Sequence, residues 1–436
     1  MWHLRDALPL ELVFTMIIYV FSHSLLIPMQ LSPNNSKLAA HIQANSYLWV
    51  CFAMIVGVMG TALASPLYPL YQDAWALNTG AITILYVVYM ASALCSLLFL
   101  GRISDQRGFV VVLRGGLILV TTGIVFSAVA WDYWSFLLSR VIIGLASSLI
   151  VTSASIGLTK LTRSKDLQRA AATSSLLLAF GFGLGPVLGG LIAQWSAYPL
   201  RSSYIPSSLM GLLAIYALFL LPATPPSAAK TKKKAFWRPS LYIPAGEQRP
   251  LFLIGSFSAF AAFAMFSLYA SLAPSFMSSM VPWHGPAVSG VSIGIILFLS
   301  SGAQLMVRRW PIKRNLSIGL SSFFLGNLLL ALNTQYASPW LFICCVLLTA
   351  LGHGLCLIGG MSIVNRIAAP EHRAATTSSY LITGYCGAIL PILGMGYLAD
   401  QFGMTLALIS FCLGLSIICA VLMFFTLRQA QLSSEL

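Results

Sequence analysis

The stretch Arg169-Ala-Ala-Ala-Thr-Ser-Ser175 occurs a second time as Arg373-Ala-Ala-Thr-Thr-Ser-Ser379, 204 residues later and identical at six of seven positions. Each copy leads into a long apolar segment, and the same offset aligns Gly183 with Gly387 and Gly190 with Gly394. Membrane proteins built from two parallel repeats hold a central site between the halves. The repeat therefore predicts two halves that share one orientation in a membrane.

Composition also places the chain in lipid. Of its 436 residues, 58% are hydrophobic and 8% are charged, whereas soluble domains carry about 25% charged residues. A membrane-crossing helix needs about 20 mostly apolar residues, and twelve segments meet this requirement. They are 47–71, 78–100, 112–131, 134–158, 171–194, 203–221, 251–275, 287–307, 315–333, 339–363, 374–398 and 404–427. We therefore predict an all-α membrane protein with two six-helix bundles related by a pseudo-two-fold repeat.

The segments divide the chain into five parts. We predict an N-terminal bundle at 47–221, a basic linker at 222–250, a C-terminal bundle at 251–427 and a tail at 428–436. Residues 1–46 allow several readings, because Leu12–Met29 is apolar but contains His23 and Pro28. They form an extra membrane helix, a surface helix or a signal peptide, or they precede the true start of the protein. No small-residue cleavage site follows, which argues against a signal peptide.

The distribution of basic residues predicts which side of the membrane each connection faces. The chain has 24 Lys and Arg against 10 Asp and Glu, for a net charge of +14. Twenty of the basic residues follow even-numbered segments, whereas the connections on the other side hold only Arg201. By the positive-inside rule, the even-numbered connections, the linker and the C-terminus are cytoplasmic. This pattern explains the charge without nucleic acid, so we expect no nucleic-acid partner.

The cysteines form no metal-binding pattern, and we expect no metal and no cofactor.

Three motifs occur in order along the first half. The connection after the second segment reads Gly101-Arg-Ile-Ser-Asp105-Gln-Arg107-Gly108, and the fourth segment contains Arg140-Val-Ile-Ile-Gly144. The fifth segment is rich in small residues and contains a proline, which can bend a helix. Its motif residues are Gly181, Gly183, Gly185, Pro186, Gly189 and Gly190.

Together these motifs resemble those of the major facilitator superfamily, and the third is similar to that of its drug/proton antiporters. The resemblance covers about residues 47–427 and implies a secondary transporter of the bacterial inner (cytoplasmic) membrane, with protons as the coupling ion. It also implies that Asp105 binds a helix N-terminus of the other half at the cytoplasmic side. The glycine-rich segment is implied to seal the outer side and favour export. The basic pair that follows Gly108 in the family is replaced by Phe109 and Val110, so Arg107 or Arg114 is expected to substitute.

Three residues are candidates for proton coupling or a buried charge. Arg140 lies about 9 Å below the outer end of its segment at helical rise, so it either has a functional partner or extends to the interface. His353, in Gly352-His353-Gly354, is mid-segment. It is either a proton carrier, because histidine titrates near neutral pH, or a core residue. Asp73 is the third candidate, and we expect the three to form one titratable set.

The cavity candidates are polar or amphipathic residues on segments expected to face the centre. They are Tyr68, Gln72, Tyr86, Tyr89, Tyr269, Gln304 and Tyr385. Tyrosine offers an apolar body with a polar tip, which suits amphipathic ligands. No Asp or Glu lies deep in any segment, although drug/proton antiporters commonly have such a carboxylate in the first half. This departure weakens the case for cationic substrates.

We therefore expect a proton-linked exporter of lipophilic neutral or anionic small molecules, embedded in the bilayer as a monomer. The alternative is a transporter, in either direction, of a metabolite or organic anion. An enzyme is disfavoured because no nucleophile–base set, phosphate loop or metal cluster is present. A receptor is disfavoured because the chain has no sizeable soluble domain.

Overall fold

Twelve long helices make up most of the protein. The structure, a computed structural model, describes residues 42–101, 103–162, 167–222 and 241–429. Within these ranges, twelve helices are long and apolar enough to cross a membrane, which confirms the predicted segments. They are α1 (Ser46–Trp75), α2 (Thr79–Leu100), α3 (Phe109–Ala128), α4 (Tyr133–Leu161), α5 (Leu167–Trp195), α6 (Pro199–Phe219), α7 (Gln248–Ser271), α8 (Pro286–Val307), α9 (Ile312–Tyr336), α10 (Pro339–Ile367), α11 (Arg373–Phe402) and α12 (Met404–Arg428).

Local sequence sets the helix ends. Asn78 caps α2 by accepting a hydrogen bond from Ala81 N at 2.9 Å. Asp132 begins α4 with a capping box, in which Ser135 N donates to Asp132 Oδ1 at 2.8 Å. Such caps satisfy backbone donors that have no partner within the helix. In α1 a short 3₁₀ turn at Ser65–Leu67 coincides with Pro66, since proline interrupts the regular hydrogen bonds.

Arg114, which the count of twenty basic residues assigns to the connection after the second segment, lies inside a helix. α3 begins at Phe109, so Arg114 is inside the helix and buried. Its Nε donates to Leu218 O at 2.9 Å and its Nη2 to Leu221 O at 2.5 Å. These carbonyls end α6, where a cation is favourable. Arg114 therefore joins α3 to the end of α6, and it does not substitute for the basic pair of the signature loop.

The two halves pack alike. In the first half α1 contacts α4, α5 and α6, while α4 also packs on α2 and α3, and α3 on α6. In the second half α7 contacts α10, α11 and α12, while α10 packs on α8 and α9, and α9 on α12. Each contact in one half has its counterpart six helices later in the other. This equivalence confirms two six-helix bundles related by a pseudo-two-fold axis.

Two helix pairs make most of the contact between the halves: α5 packs on α8, and α2 packs on α11, with smaller contacts between α1 and α8 and between α2 and α7. The pairs are themselves related by the pseudo-symmetry, because α2 corresponds to α8 and α5 to α11. The predicted part boundaries at 47–221, 222–250, 251–427 and 428–436 remain predictions. Residues 1–41, 223–240 and 430–436 lie outside the described residues, so the alternatives for the N-terminal extension stay open.

Candidate functional site

α5 uses small residues on two faces. A Cβ at Gly181 would lie 2.9 Å from Ile55 O, and one at Gly189 would lie 2.6 Å from Leu63 O. Gly185 meets the α1 backbone in the same way, at Met59 O. These three glycines, four residues apart, let α5 lie directly on α1 of its own half.

The other face of α5 lies against α8 of the second half. A Cβ at Gly190 would collide with Pro286 O, and one at Gly290 with Pro186 O. A Cβ at Gly183 would lie 2.6 Å from the Phe298 ring. Backbone thus meets backbone across the two halves with no room for a side chain, so the motif glycines are required for this closed contact.

Two side chains reach from one half to a helix start of the other. Gly80 N, in the first turn of α2, donates to Asp400 Oδ2 of α11 at 3.0 Å. Ala287 N, in the first turn of α8, donates to Gln194 Oε1 of α5 at 3.3 Å. We call these contacts the paired latches. A helix start favours an acceptor, and an anion most of all, so both latches stabilise contact between the halves.

The contacts between the halves named above lie at one end of the molecule. α5 touches α8 through residues from Phe180 to Gln194, and α2 touches α11 at Gly80 and Thr83. These contacts run from the middle of α5 and α8, at Phe180 and Phe298, to the ends of the four helices farther from the basic connections. The structure is therefore closed on the side opposite the basic residues.

The contacts also correct the alignment of the repeat. Gly183 faces α8, whereas Gly387 faces Phe260 of α7, and a Cβ at Gly394 would meet nothing. An offset of 206 instead matches Gly181 with Gly387 and Gln194 with Asp400. The offset of 204 holds only at the helix starts. Two residues rotate a helix by about 200°, which is why the earlier alignment placed equivalent glycines on opposite faces.

Arg140 is 1% exposed inside the first half. Its Nη2 donates to Ser127 Oγ at 2.6 Å, and the guanidinium carbon lies 4.8 Å from the centroid of the Phe136 ring. Nε has no partner. The charge is within electrostatic range of the phenols of Tyr68, Tyr71, Tyr89 and Tyr204. It neither extends to the interface nor meets a carboxylate among the described residues, so a hydroxyl and aromatic rings surround it.

His353 lies in the second half. Its Nδ1 is 2.8 Å from Ser300 Oγ of α8, and Gln304 Nε2 donates to the same hydroxyl at 3.4 Å. The Phe266 ring of α7 is 5.7 Å away between centroids. A Cβ at Gly354 would lie 2.5 Å from Ser300 O, so this glycine brings α10 close enough to α8 for the contact. His353, Ser300 and Gln304 form a polar chain along the inner face of this half.

The predicted titratable set is not assembled. Arg140 lies in the first half and His353 in the second, while Asp73 is exposed near the end of α1. The two buried residues have hydroxyl partners, Ser127 and Ser300, which sequence reasoning missed because serines are frequent in every helix. The individual roles proposed for the three residues stay predictions, but they do not act as one contacting group in this structure.

Four predicted tyrosines do come together between the halves. Tyr86 OH lies 2.9 Å from Ser267 Oγ of α7, and the Tyr86 and Tyr89 rings are 6.4 Å apart. Tyr68 and Tyr385 are within electrostatic range of the same pair. Phe263 lies 5.5 Å from the Tyr385 ring. We call Tyr68, Tyr86, Tyr89, Tyr385 and Phe263 the central aromatic cluster.

Two cavity candidates lie elsewhere. Tyr269 is fully buried beside Phe276 and Phe342, with its hydroxyl unpartnered, so it packs within the second half. Gln72 is half-buried near the end of α1, where its carbonyl accepts from Leu77 N. The apolar segments predicted the helices of these two residues correctly, but segment length does not show which face of a helix points to the centre.

The signature loop forms a short helix, Ile103–Arg107, followed by Gly108 with φ of 83°. That left-handed conformation favours glycine, so Gly108 allows the chain to turn into α3. At Gly101 a Cβ would lie 2.5 Å from Leu97 O. The Asp105 side chain lies outside what the structure describes, and its predicted contact stays a prediction, as does any role of Arg107. Gly144 packs α4 on α2, since its Cβ would lie 2.5 Å from Tyr89 O.

Comparison with known proteins gives consistent results. A family model described as Major Facilitator Superfamily matches residues 50–391 and 305–435. The tetracycline resistance protein, class H, of Pasteurella multocida is 22% identical over 333 residues, covering 72% of this chain and 77% of that protein. The quinolone resistance protein NorA of Staphylococcus aureus is 24% identical over 170 residues, covering 39% of this chain and 43% of that protein.

Solved structures share the fold. A bacterial homolog to the human lysosomal transporter Spinster, in an inward-facing and occupied conformation, has a TM-score of 0.70 at 15% identity, covering 90% of this chain and 98% of that one. The nucleoside transporter NupG has a TM-score of 0.70 at 14% identity, covering 87% and 98%. At these identities the likeness concerns the fold alone.

Proposed function

Because the chain belongs to the Major Facilitator Superfamily, we propose that this membrane transporter exports lipophilic neutral or anionic small molecules in exchange for protons. The central aromatic cluster carries the proposal. It offers rings and phenol hydroxyls from both halves, and among the described residues no carboxylate lies deep in a helix. A lipophilic ligand without positive charge suits such a site, since a buried cation needs a compensating anion.

Alternating access follows from how the halves meet. The closed side depends on the α5–α8 and α2–α11 contacts and on the paired latches. Rocking the halves apart there would expose the central aromatic cluster to the opposite side. With the basic connections and the C-terminus in the cytoplasm, as the positive-inside rule expects, this structure is the inward-facing state of a monomer in a bacterial inner membrane.

Export against a gradient needs an energy source, which we assign to protons. His353 is a buried titratable side chain of α10, with Ser300 and Gln304 of α8 beside it to pass or hold a proton. The names of two distant relatives mention resistance to tetracycline and quinolone, which supports efflux of drug-like compounds. Transport of an organic anion in either direction is a second candidate, favoured by the buried guanidinium of Arg140 without a carboxylate partner.

Substrate charge can be tested directly. The purified protein would be reconstituted into liposomes that enclose a pH-sensitive dye, and matched cationic, neutral and anionic lipophilic compounds would be added in turn. The proposal expects proton movement with neutral or anionic compounds, and none in liposomes without protein. A response to cations alone would contradict the charge argument, and no response to any compound would contradict proton-coupled export.

A further inference from the structure

A cavity of 560 Å³ lies between the start of α7 and the end of α12. Its walls are almost wholly apolar and include Leu253, Phe257, Ile417, Val421 and Phe425. Each of these side chains is at least 40% exposed. Because they are exposed on membrane-crossing helices, the cavity faces lipid and not the path between the halves. Its contents in a bilayer must therefore come from the lipid phase.

Two arginines lie at the basic-side ends of the two helices that form this cavity, the start of α7 and the end of α12. We call this place the mouth of the cavity. Arg249, in the first turn of α7, lines it directly. Arg428, in the last turn of α12, is three residues after the lining residue Phe425 and so shares its helix face. Its guanidinium carbon lies 4.0 Å from the ring centroid of Phe424, which is next to the lining. Both are exposed, and neither meets a carboxylate among the described residues. The nearby Glu247 is the one acidic residue on the described segment leading into α7, so the mouth has a net positive charge.

The equivalent place in the first half is occupied by protein. There the residues before α1 lie on the end of α6, with Gln43 Nε2 donating to Leu220 O at 3.2 Å and Ile42 buried. In the second half the residues before α7 go elsewhere. Tyr242 stacks on His372 with 4.2 Å between the rings, and its backbone N donates to Ser379 of α11 at 3.1 Å. Among the residues that the structure describes, none fills the cavity between α7 and α12, although the equivalent place in the first half is filled.

We propose that this cavity binds an anionic phospholipid from the membrane leaflet on the side of the basic connections. One acyl chain lies in the apolar cavity and the phosphate binds at Arg249 and Arg428. Basic pockets between membrane helices on the cytoplasmic side suit anionic headgroups, and arginine matches phosphate geometry. The start of α7 adds a favourable helix dipole. The lipid replaces the protein segment that fills the same place in the first half.

The experiment is a lipid titration followed by native mass spectrometry. Full-length protein in detergent is titrated with phosphatidylglycerol and, separately, with zwitterionic phosphatidylcholine of the same chains. We expect a saturable adduct of one phosphatidylglycerol with preference over phosphatidylcholine. Arg249→Gln should weaken that adduct about fivefold, the effect of one basic group near an anionic lipid surface. The matched control is Arg309→Gln, an exposed arginine on the same side that does not line the cavity, and it should leave binding unchanged.

A second variant tests the acyl chain. Leu253→Trp adds volume to a lipid-facing wall of the cavity and should lower the saturable phosphatidylglycerol adduct while the protein keeps its monodisperse elution. Equal retention of both lipids, equal loss in the Arg249 and Arg309 variants, or full binding by Leu253→Trp would each overturn the proposal.

Discussion

Replacing Asp400 by asparagine should favour opening of the closed side. The Asp400 carboxylate accepts a hydrogen bond from Gly80 N at 3.0 Å, at the positive end of α2. Asparagine keeps an acceptor but loses the charge. An exposed charge at a helix start is worth about 0.5 kcal/mol, so the open-to-closed ratio should rise about twofold. Asp400→Ala also removes the hydrogen bond, worth about 1 kcal/mol more, and should raise the ratio roughly tenfold.

The assay measures a distance across the closed side. Spin labels are placed by Trp131→Cys and Trp283→Cys, which lie on the closed side of the two halves and are 70% and 50% exposed. The exposed native cysteines, Cys95 and Cys344, are replaced by serine. Pulsed electron paramagnetic resonance in nanodiscs then gives the fraction of molecules with a long distance, which should increase from wild type to Asn to Ala.

Asp132→Asn is the matched control. Asp132 also caps a helix start on this side, but that helix is its own α4 and the contact stays within one half. It should lower stability by a similar amount and leave the distance distribution unchanged. If Asp400→Ala leaves the long-distance fraction at its wild-type value, or if Asp132→Asn raises it equally, the latch reasoning is refuted.

Three further variants test other contacts. Gly290→Ala should slow transport without loss of folded protein, because its Cβ would collide with Pro186 O. The control is Gly302→Ala on the same helix, where a Cβ meets nothing, and this variant should transport normally. Equal transport rates in the two variants would contradict this account. Ser127→Ala should cost about 1–3 kcal/mol by leaving Arg140 Nη2 without its bond, which thermal unfolding in detergent would detect, whereas an unchanged midpoint would show that the bond contributes little. His353→Gln should abolish the pH dependence of transport; normal transport with unchanged pH dependence would show that His353 carries no proton.

The sequence contained enough information to predict the helices and their grouping. Apolar length and basic connections depend on residues close in sequence, and the repeat depends on a direct match between two stretches of the chain. All twelve helices were found, with ends wrong by up to four residues. Tyr86 and Tyr89 are three residues apart and so share a helix face, and their rings lie 6.4 Å apart, while their role in a substrate site stays a prediction.

Contacts between distant residues could not be predicted in the same way. The charge count assigned Arg114 to a connection although this residue falls within the predicted segment 112–131, and its partners Leu218 and Leu221 are more than 100 residues away. The equivalence of Gln194 and Asp400 was not predicted. It depends on the offset of 206, which can be recognised only when the contacts show which face of each helix meets the other half. Local patterns specify a helix but not which of its faces meets the other half.

Proton-driven export of a lipophilic compound without positive charge is the central claim, and one measurement tests it most directly. Proteoliposomes are prepared with the basic side outward, an acidic lumen is imposed, and uptake of a radiolabelled neutral lipophilic compound is followed. The account predicts accumulation that lasts as long as the pH gradient and is lost when a protonophore collapses it. Uptake that proceeds equally without the gradient, or accumulation that survives the protonophore, would contradict it.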